Sequence, residues 1–481
     1  MKLKHQIIII GAGPAGLFAG MELAKKGCND VLILEKGNSI DSRKPIETLY
    51  GVGGSGTFSD GKLHFSMTLS QEKLLDFCGR NEAIELINGV ENEFIKFGVK
   101  SPVTPTDTEA VKKLIKECQR FNVRLYDRKC RHVGSDLLPK VIKKMVRQLE
   151  KTGVKIKSNA EVLKISKQKN GFVIETKDGM FESTVLLVAP GRGGTKWLQN
   201  QASTLKIGYE YQMVEVGVRM EFPASVMEDH SKIMYENIYS VQTPTFDDTM
   251  RTFCPCPNGY VAVEDYGDYV CVNGHSNSNN DSPNSNFALV QEIRLTEPVE
   301  NNTDYAISIA RLATTIGGGK PIIQRLMDLK KRRRSNAKRI TKSLITPTLA
   351  NCTPGDIAMA LPYRLVTNIL EALEILDNIL PGINAGSNFL YAPEIKLRGS
   401  KIKTNQNLET EIENLFVAGD GAGVSGNIVG AAATGIILAL HVDCRQPVAV
   451  VEAIKKTLTT PGFGLVDLDQ VCVTFGKQLT T

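Results

Sequence analysis

The sequence lacks most of the features that settle a protein's class outright. No apolar run in its 481 residues approaches the roughly 20 needed to cross a membrane. The apolar stretch Ile7 to Ile10 ends at once in a glycine turn, without the long apolar region and small-residue cleavage site of a leader. These absences predict a cytoplasmic protein. Charge of one sign is also scarce. The 58 Lys and Arg against 52 Asp and Glu leave +6, too mild an excess over this length to imply nucleic acid. Aromatics are only 6% of residues, and none interleaves with the densest basic run, Lys330-Lys331-Arg332-Arg333-Arg334. Without stacking side chains that run reads first as a solvated helix face, and second as a contact for an anionic substrate, a nucleotide or RNA. The ten cysteines are scattered over a large chain, unlike a disulfide scaffold, so reduced thiols are expected. The one close pair, Cys254-Pro255-Cys256, has no second pair at zinc spacing, so no metal site is expected. Internal repeats and low-complexity tracts are missing too.

What remains is an ordinary globular composition, 42% hydrophobic and 23% charged, long enough for two or three domains. Its first informative segment is Gln6 to Ile10, apolar throughout as a strand inside a parallel sheet should be. Gly11-x-Gly13-x-x-Gly16 follows. A helix then carries Leu17, Met21 and Leu23-Ala24 on its apolar face and stops at Gly27. A second strand, Val31 to Leu34, ends at Glu35. In this context the first glycine makes the tight turn and the second lets backbone approach a pyrophosphate. The third allows close helix–strand packing, and the helix N-terminus presents free N–H groups to the phosphates. Glu35, 24 residues after Gly11, is placed to accept hydrogen bonds from a ribose diol. Gly11, Gly13, Pro14, Ala15, Gly16, Glu35 and Lys36 are therefore candidate dinucleotide contacts, without distinguishing one dinucleotide from another.

Further along, a glycine- and serine-rich loop runs from Tyr50 to Lys62. Residues 67–149 read as mainly helical. A β-rich stretch closes with Leu186-Leu187-Val188-Ala189-Pro190-Gly191. Residues from about 208 to 295 read as strands, with Asn277 to Asn286 a polar loop, and those from about 303 to 380 read as helical. Asn414-Leu415-Phe416-Val417-Ala418-Gly419-Asp420-Gly421 is a last strand and turn, followed by an alanine-rich helix from about Asn427 to Val442.

That C-terminal segment, paired with the N-terminal turn, resembles the two FAD fingerprints of glutathione-reductase-type flavoproteins. The resemblance implies FAD, with Asp420 at the ribityl or pyrophosphate region and Gly191 where the chain returns to the cofactor. It also implies that the last helix, Gly430 included, points at the flavin's pyrimidine edge, where its dipole favours reduced flavin. Gly53-Gly54-x-Gly56-Thr57-Phe58-Ser59-Asp60-Gly61-Lys62, Arg251-Thr252-Phe253-Cys254-x-Cys256-Pro257, Asn273-Gly274, Asn286-Phe287-Ala288-Leu289 and Pro347-Thr348-Leu349 narrow it. Together they are similar to FAD-dependent dehydrogenases of bacteria and archaea, over roughly residues 5–440.

The implied architecture is α/β. A discontinuous Rossmann-type FAD-binding domain (1–66, 150–200 and 385–445) carries a helical insertion (67–149), a mixed α+β substrate domain (201–384) and a tail (446–481). The implied activity is hydride transfer between flavin and a small organic substrate. A flavin monooxygenase, an ene-type reductase, a tRNA-modifying flavoprotein and a flavin-binding regulator remain as alternatives. No second complete strand–turn–helix–strand unit like that of Gln6 to Glu35 is evident, so NAD(P)H is expected only as a transient electron donor. Small residues Gly54, Ser55 and Gly56 would press backbone against the flavin ring, because any Cβ would collide with its face. Ser55, Asp60 and Lys62 would reach the substrate side. Lys62 would favour an anionic substrate or reduced flavin. Cys254 and Cys256 read either as redox groups or as buried thiols lining the pocket, and the Cys-x-x-x-x-Cys spacing of the class's catalytic disulfide is absent. His275, at a strand end, reads as a proton donor or as a satisfied turn residue. Lys62, Cys254 and His275 are the candidate catalytic residues. Neither a membrane nor a nucleic-acid partner is expected, and the sequence carries no signal of oligomeric state.

Overall fold

Leu3–Ile10 begins at the surface and ends in four buried isoleucines, and the first sheet is built outward from it. Val31–Leu34 pairs with it in parallel on one side and Gly179–Val188 on the other. Lys155–Lys157 extends the sheet beyond Val31–Leu34, and Leu415–Val417 extends it beyond Gly179–Val188, both parallel. Five parallel strands thus bring segments remote in sequence side by side. A hairpin, Val162–Gln168 and Gly171–Thr176, adds two antiparallel strands along the first half of Gly179–Val188. The computed structural model describes residues 3–44, 47–279, 281–296, 301–397 and 400–442. Those up to His441 belong to a single compact unit. The tail expected over 446–481 lies outside the described residues.

The helix Pro14–Lys25 starts with proline at its first position, where the missing N–H costs nothing. Against it packs Ile428–His441, and the contact explains the alanine- and glycine-rich sequence. A Cβ on Gly435 would overlap the carbonyl oxygen of Ala15, so the two backbones touch. Among the described residues no helix is long and apolar enough to cross a membrane.

The second sheet has eight strands, in the order Thr353–Pro354, Ile322–Arg325, Phe389–Lys396, Val214–Pro223, Asn284–Ile293, Thr249–Cys256, Ile238–Gln242, Val123–Tyr126. Helices Asn302–Ile316 and Tyr363–Leu376 cover it. Their Ala306, Ile309, Leu365 and Ile369 share one core with Val218 and Leu289 of the sheet.

Several sequence expectations need correction here. Residues 67–149 hold three helices but also three strands, of which Val123–Tyr126 forms the edge of the large sheet. The span 303–380 has its long helices at its two ends; between them lie strands Ile322–Arg325 and Thr353–Pro354 and the short helices Leu326–Lys330 and Ala337–Ile340. Asn284–Asn286 is the start of a long buried strand and not loop. Two of its polar residues are satisfied inside, Asn284 donating to Glu221 (3.0 Å) and to the Thr346 carbonyl (2.8 Å) and Ser285 Oγ accepting the Asn258 N–H (2.9 Å), while the buried Asn286 amide has no partner. Finally, Phe389–Lys396, assigned to the FAD-binding portion, is a central strand of the second sheet, buried along its whole length.

Candidate active site

The turn after the first strand is shaped by contact. Gly11 has φ +99°, and a Cβ there would overlap the carbonyl of Ala189 on the neighbouring strand. A Cβ on Gly16 would overlap the carbonyl of Gly11, which brings the helix onto the turn. Gly13 differs: the nearest atom to its Cβ position is Gly54 Cα at 3.7 Å, and the residue faces a cavity. Beyond the turn, Glu35 is buried, and its carboxylate accepts backbone N–H groups from Ala12 (2.8 Å), Gly37 (2.9 Å) and Gly51 (2.9 Å). It therefore ties the glycine turn to the Tyr50–Lys62 loop. The corner is a cleft lined by Gly11, Glu35, Lys36, Tyr50, Glu161 and Trp197. Lys36 pairs there with Glu161 (2.9 Å), its Nζ 4.3 Å from the Tyr50 ring centre.

The main cavity lies on the other side of the turn. One wall is Gly13, Pro14 and Ala15, Gly54 to Gly56, Gly191 and Arg192, and Gly419 with Asp420. Asp420 accepts Ser425 Oγ (2.5 Å), and Arg192 donates to Ser55 Oγ and Glu264 Oε1 (both 3.3 Å). Asn427 and Ile428 close that wall at the start of the last helix, where Asn427 Oδ1 accepts the Gly430 N–H (2.9 Å). The amide nitrogen of Asn427 is buried without a partner. Small residues on converging loops, a helix N-terminus and an unpaired donor fit a dinucleotide, which the Glu35 cleft and this cavity would hold.

The opposite wall belongs mainly to the second sheet and the strand Lys62–His64: Asp60, Lys62, His64, Arg128, Glu215, Phe253, Cys254, Asn273 and Lys396. Cys254 reaches it through an irregularity. Pairing between Thr249–Cys256 and Asn284–Ile293 shifts register between Phe253 and Cys256, and Cys254 sits at φ +45°, a strained value for a residue with a Cβ. The bulge is pinned from behind. Arg219 donates twice to the Cys254 carbonyl (3.2 and 3.0 Å), and Lys62 Nζ donates to the Pro255 carbonyl (2.8 Å).

Lys62 is wholly buried between Asp60 (3.1 Å) and Glu236, which it contacts closely. Burial alone would push its ammonium down, but Asp60 and Glu236 outweigh that and hold it well above the ordinary lysine range. Burial would likewise raise the Asp60 carboxyl, yet Lys62 and then His64 hold it far below its usual range. Burial, then Arg128 and Lys62, push His64 well below the ordinary histidine value. The Cys254 thiol is pushed up to about 12, by burial first and then by Asp60. Near neutral pH the wall thus holds a charged lysine, a charged aspartate, a neutral imidazole and a protonated thiol.

Lys62 and Cys254 are brought together at the cavity as expected from sequence, but the charge of Lys62 is already matched by two carboxylates. It is a support for the bulge rather than an open anion site. His275 is not among the lining residues; its Nε2 lies 3.2 Å from Ser135 Oγ. Gly430 sits behind the wall, where a Cβ would come 2.8 Å from Gln71 Oε1. Within the basic run, Arg333 joins Arg325 on the buried Asp328 (2.8 and 2.9 Å), and Lys330 donates to the Asn384 carbonyl (3.1 Å). Among the described residues seven cysteines are free thiols, whereas Cys28 is disulfide-bonded, which corrects the expectation of reduced thiols at that position. Sequence reasoning missed His64, Arg128, Glu215 and Lys396, which carry no local motif. Arg192 directly follows the Leu186-to-Gly191 segment, Asn273 belongs to the Asn273-Gly274 motif, and Asn427 had the helix-cap residue type as a signal.

Two family models match the chain. Residues 8–46 match "Pyridine nucleotide-disulphide oxidoreductase", and residues 213–397 match "FAD-dependent protein, C-terminal domain-like". A relative from Clostridium beijerinckii, named only as an uncharacterised protein, is 25% identical over 492 residues, covering 92% of this chain and 81% of its own. Among solved structures, glycine oxidase from Geobacillus kaustophilus is similar at TM-score 0.40 and 13% identity, covering 91% of this chain and 94% of its own. L-proline dehydrogenase from P. horikoshii is similar at TM-score 0.42 and 14% identity, covering 91% and 93%. The first model falls on the glycine turn and Glu35, and the second on the sheet that carries Phe253, Cys254 and Lys396 to the cavity: the chain is an FAD-dependent oxidoreductase.

Proposed function

We propose that this protein transfers hydride between FAD and a small organic substrate held in the cavity between the Gly54–Lys62 loop and the Cys254 bulge. The observation that carries the reading is the shared lining. Gly13, Gly54, Asp420 and Asn427 stand on one wall, and Lys62, Phe253 and Cys254 on the other. FAD supplies the hydride chemistry when bound. The parallel sheet serves as the cofactor half, and the eight-stranded sheet as the substrate half. Asn427 Nδ2 and the start of the last helix would hold the flavin, and Phe253, with Arg251 4.6 Å and Lys396 5.7 Å from its ring centre, would shield the bound cofactor from water. Cys254 Sγ holds a proton for delivery to the substrate, and the Lys62–Asp60–Glu236 cluster fixes the bulge that aims it. With no second complete strand–turn–helix–strand unit like that of Gln6 to Glu35 evident in the sequence, NAD(P)H serves at most as a transient donor. Tethering of Arg333 and Lys330 within the fold argues for the small-molecule reading over a tRNA substrate.

The test is an anaerobic screen of small acids, amines, alcohols and carbonyl compounds against the holoprotein. It reads bleaching of oxidised flavin and re-oxidation of pre-reduced flavin. An active compound should lose its effect in Cys254→Trp, which fills the cavity, while FAD occupancy is retained. Unchanged turnover in that variant would put the substrate elsewhere, and a redox-inert flavin across the screen would refute an enzymatic role.

A further inference from the structure

Two side chains on the substrate wall are left incomplete. Arg128 is 1% exposed. Its Nη1 faces Glu236 Oε1 (3.4 Å) and its Nη2 donates to the Leu69 carbonyl (2.9 Å), but its Nε has no partner. A guanidinium Nε–H is a donor at every accessible pH, and burying it unpaired is costly, so this position calls for an acceptor oxygen. His64 is 6% exposed, and its Nδ1 is also unpaired. Its Nε2 is 3.7 Å from the same Glu236 oxygen. Both residues line the cavity, beside Lys62.

Charge decides what fits. The groups facing His64 are Lys62 and Asp60 from its own strand and loop, Arg128 from the loop after Val123–Tyr126, and Glu236 from the segment before Ile238–Gln242. Cys130 pairs across the strand. Two cations and two carboxylates cancel, and the imidazole is neutral. A bound carboxylate adds one uncompensated negative charge to a buried, balanced cluster. Among the described residues that line the cavity, the imidazole able to cancel it is His64 (His132, paired across from Lys62, does not line it), which on gaining a proton would present Nε2–H to Glu236 and Nδ1–H to the ligand.

We propose that the substrate is a carboxylic acid, its carboxylate held by Arg128 Nε and His64 Nδ1, and that binding takes up one proton at His64. The proposal rests on the flavin-enzyme reading above and names the substrate class of that site. A neutral carbonyl would satisfy Arg128 alone and would need no proton.

The experiment titrates the FAD-loaded protein with benzoate and with benzamide, reading the perturbation of flavin absorbance at several pH values from about 6 to 8. Uptake of one proton makes benzoate bind about tenfold more weakly for each unit of rising pH, and leaves benzamide weak and flat. Arg128→Lys keeps a charge for Glu236 but has no Nε–H, and should weaken benzoate at least tenfold. His64→Asn should abolish the pH slope while FAD occupancy is unchanged. If Arg128→Lys fails to fold, the slope in wild type and its loss in His64→Asn decide the matter. Benzoate affinity independent of pH, benzamide binding as tightly as benzoate, or a slope retained in His64→Asn would overturn the proposal. Protein that holds reducible FAD yet shows none of the benzoate behaviour refutes only this inference. Protein that holds no FAD refutes the reading beneath it.

Discussion

Replacing Lys62 with methionine is the sharpest perturbation of the substrate wall. The ammonium is fully buried, 3.1 Å from Asp60, in close contact with Glu236, and donating to the Pro255 carbonyl at 2.8 Å. Methionine preserves the volume but strands two buried carboxylates, leaving Glu236 with Arg128 at 3.4 Å and Asp60 without its lysine. Removing one partner of a buried ion pair typically costs about 3–5 kcal/mol, and here one lysine serves two acids, so the upper end applies. In equilibrium urea unfolding the midpoint should fall without a change of slope. Lys62→Met combined with Glu236→Gln should recover part of the loss, since a neutral amide removes one of the stranded charges. The bulge provides a second readout. Without the Lys62 donor the Pro255 carbonyl is released, so Cys254 should be alkylated faster by iodoacetamide. A Lys62→Met protein within about 1 kcal/mol of wild type, with unchanged Cys254 alkylation, would refute the reasoning, because the lysine would then not hold the wall together.

Three further outcomes are expected. Glu35→Ala should lower the stability of the FAD-free protein as well as FAD affinity, because three backbone N–H groups lose a charged acceptor worth about 1.5–3 kcal/mol per bond; an unaltered apo melting curve would contradict this. Asp420→Ala should lose FAD occupancy, since Ser425 and the turn that borders the cavity lose their anchor; full occupancy with an unchanged flavin spectrum would argue against that role. Stability should fall as pH drops from about 6.5 toward 4. His132 is pushed down to about 4, by burial first and then by Lys62, so the unfolded chain binds a proton that the folded chain refuses. That contribution is complete above pH 6.5 and amounts to at most about 3 kcal/mol, at about 1.4 kcal/mol per pH unit. His132→Asn should flatten the decline, as a urea series from pH 7 to about 5 would register.

The cofactor side was legible from sequence because its chemistry is local. Gly11, Gly13, Gly16 and Glu35 lie within one strand–turn–helix–strand unit, and the turn's contacts depend on residues at fixed short spacing. Asp420 was legible for the same reason. The substrate wall was not. His64 and Arg128 become neighbours through the pairing of Lys62–His64 with Cys130–His132, two three-residue strands, the first at the end of the glycine-rich loop and the second within a span that read as helical. Arg128 occupies an Asp-Arg-Lys sequence that, taken alone, reads as exposed loop. Cys254 was singled out as a reactive side chain, but its placement depends on a register shift and a positive φ that no propensity reports. His275 misled because a strand end near a glycine suits an active-site histidine, whereas its ring turns to Ser135. Asn284 misled because its burial depends on Glu221 and Thr346, partners far away in the chain.

The central claim is that the two fingerprints and the cavity between them hold FAD. Its most direct test is to denature the purified protein and identify what is released, by absorbance and mass. The account requires a yellow protein that releases intact, non-covalently bound FAD, about one per chain. A colourless protein that cannot be reconstituted with FAD, or one that releases FMN or NAD instead, would contradict it.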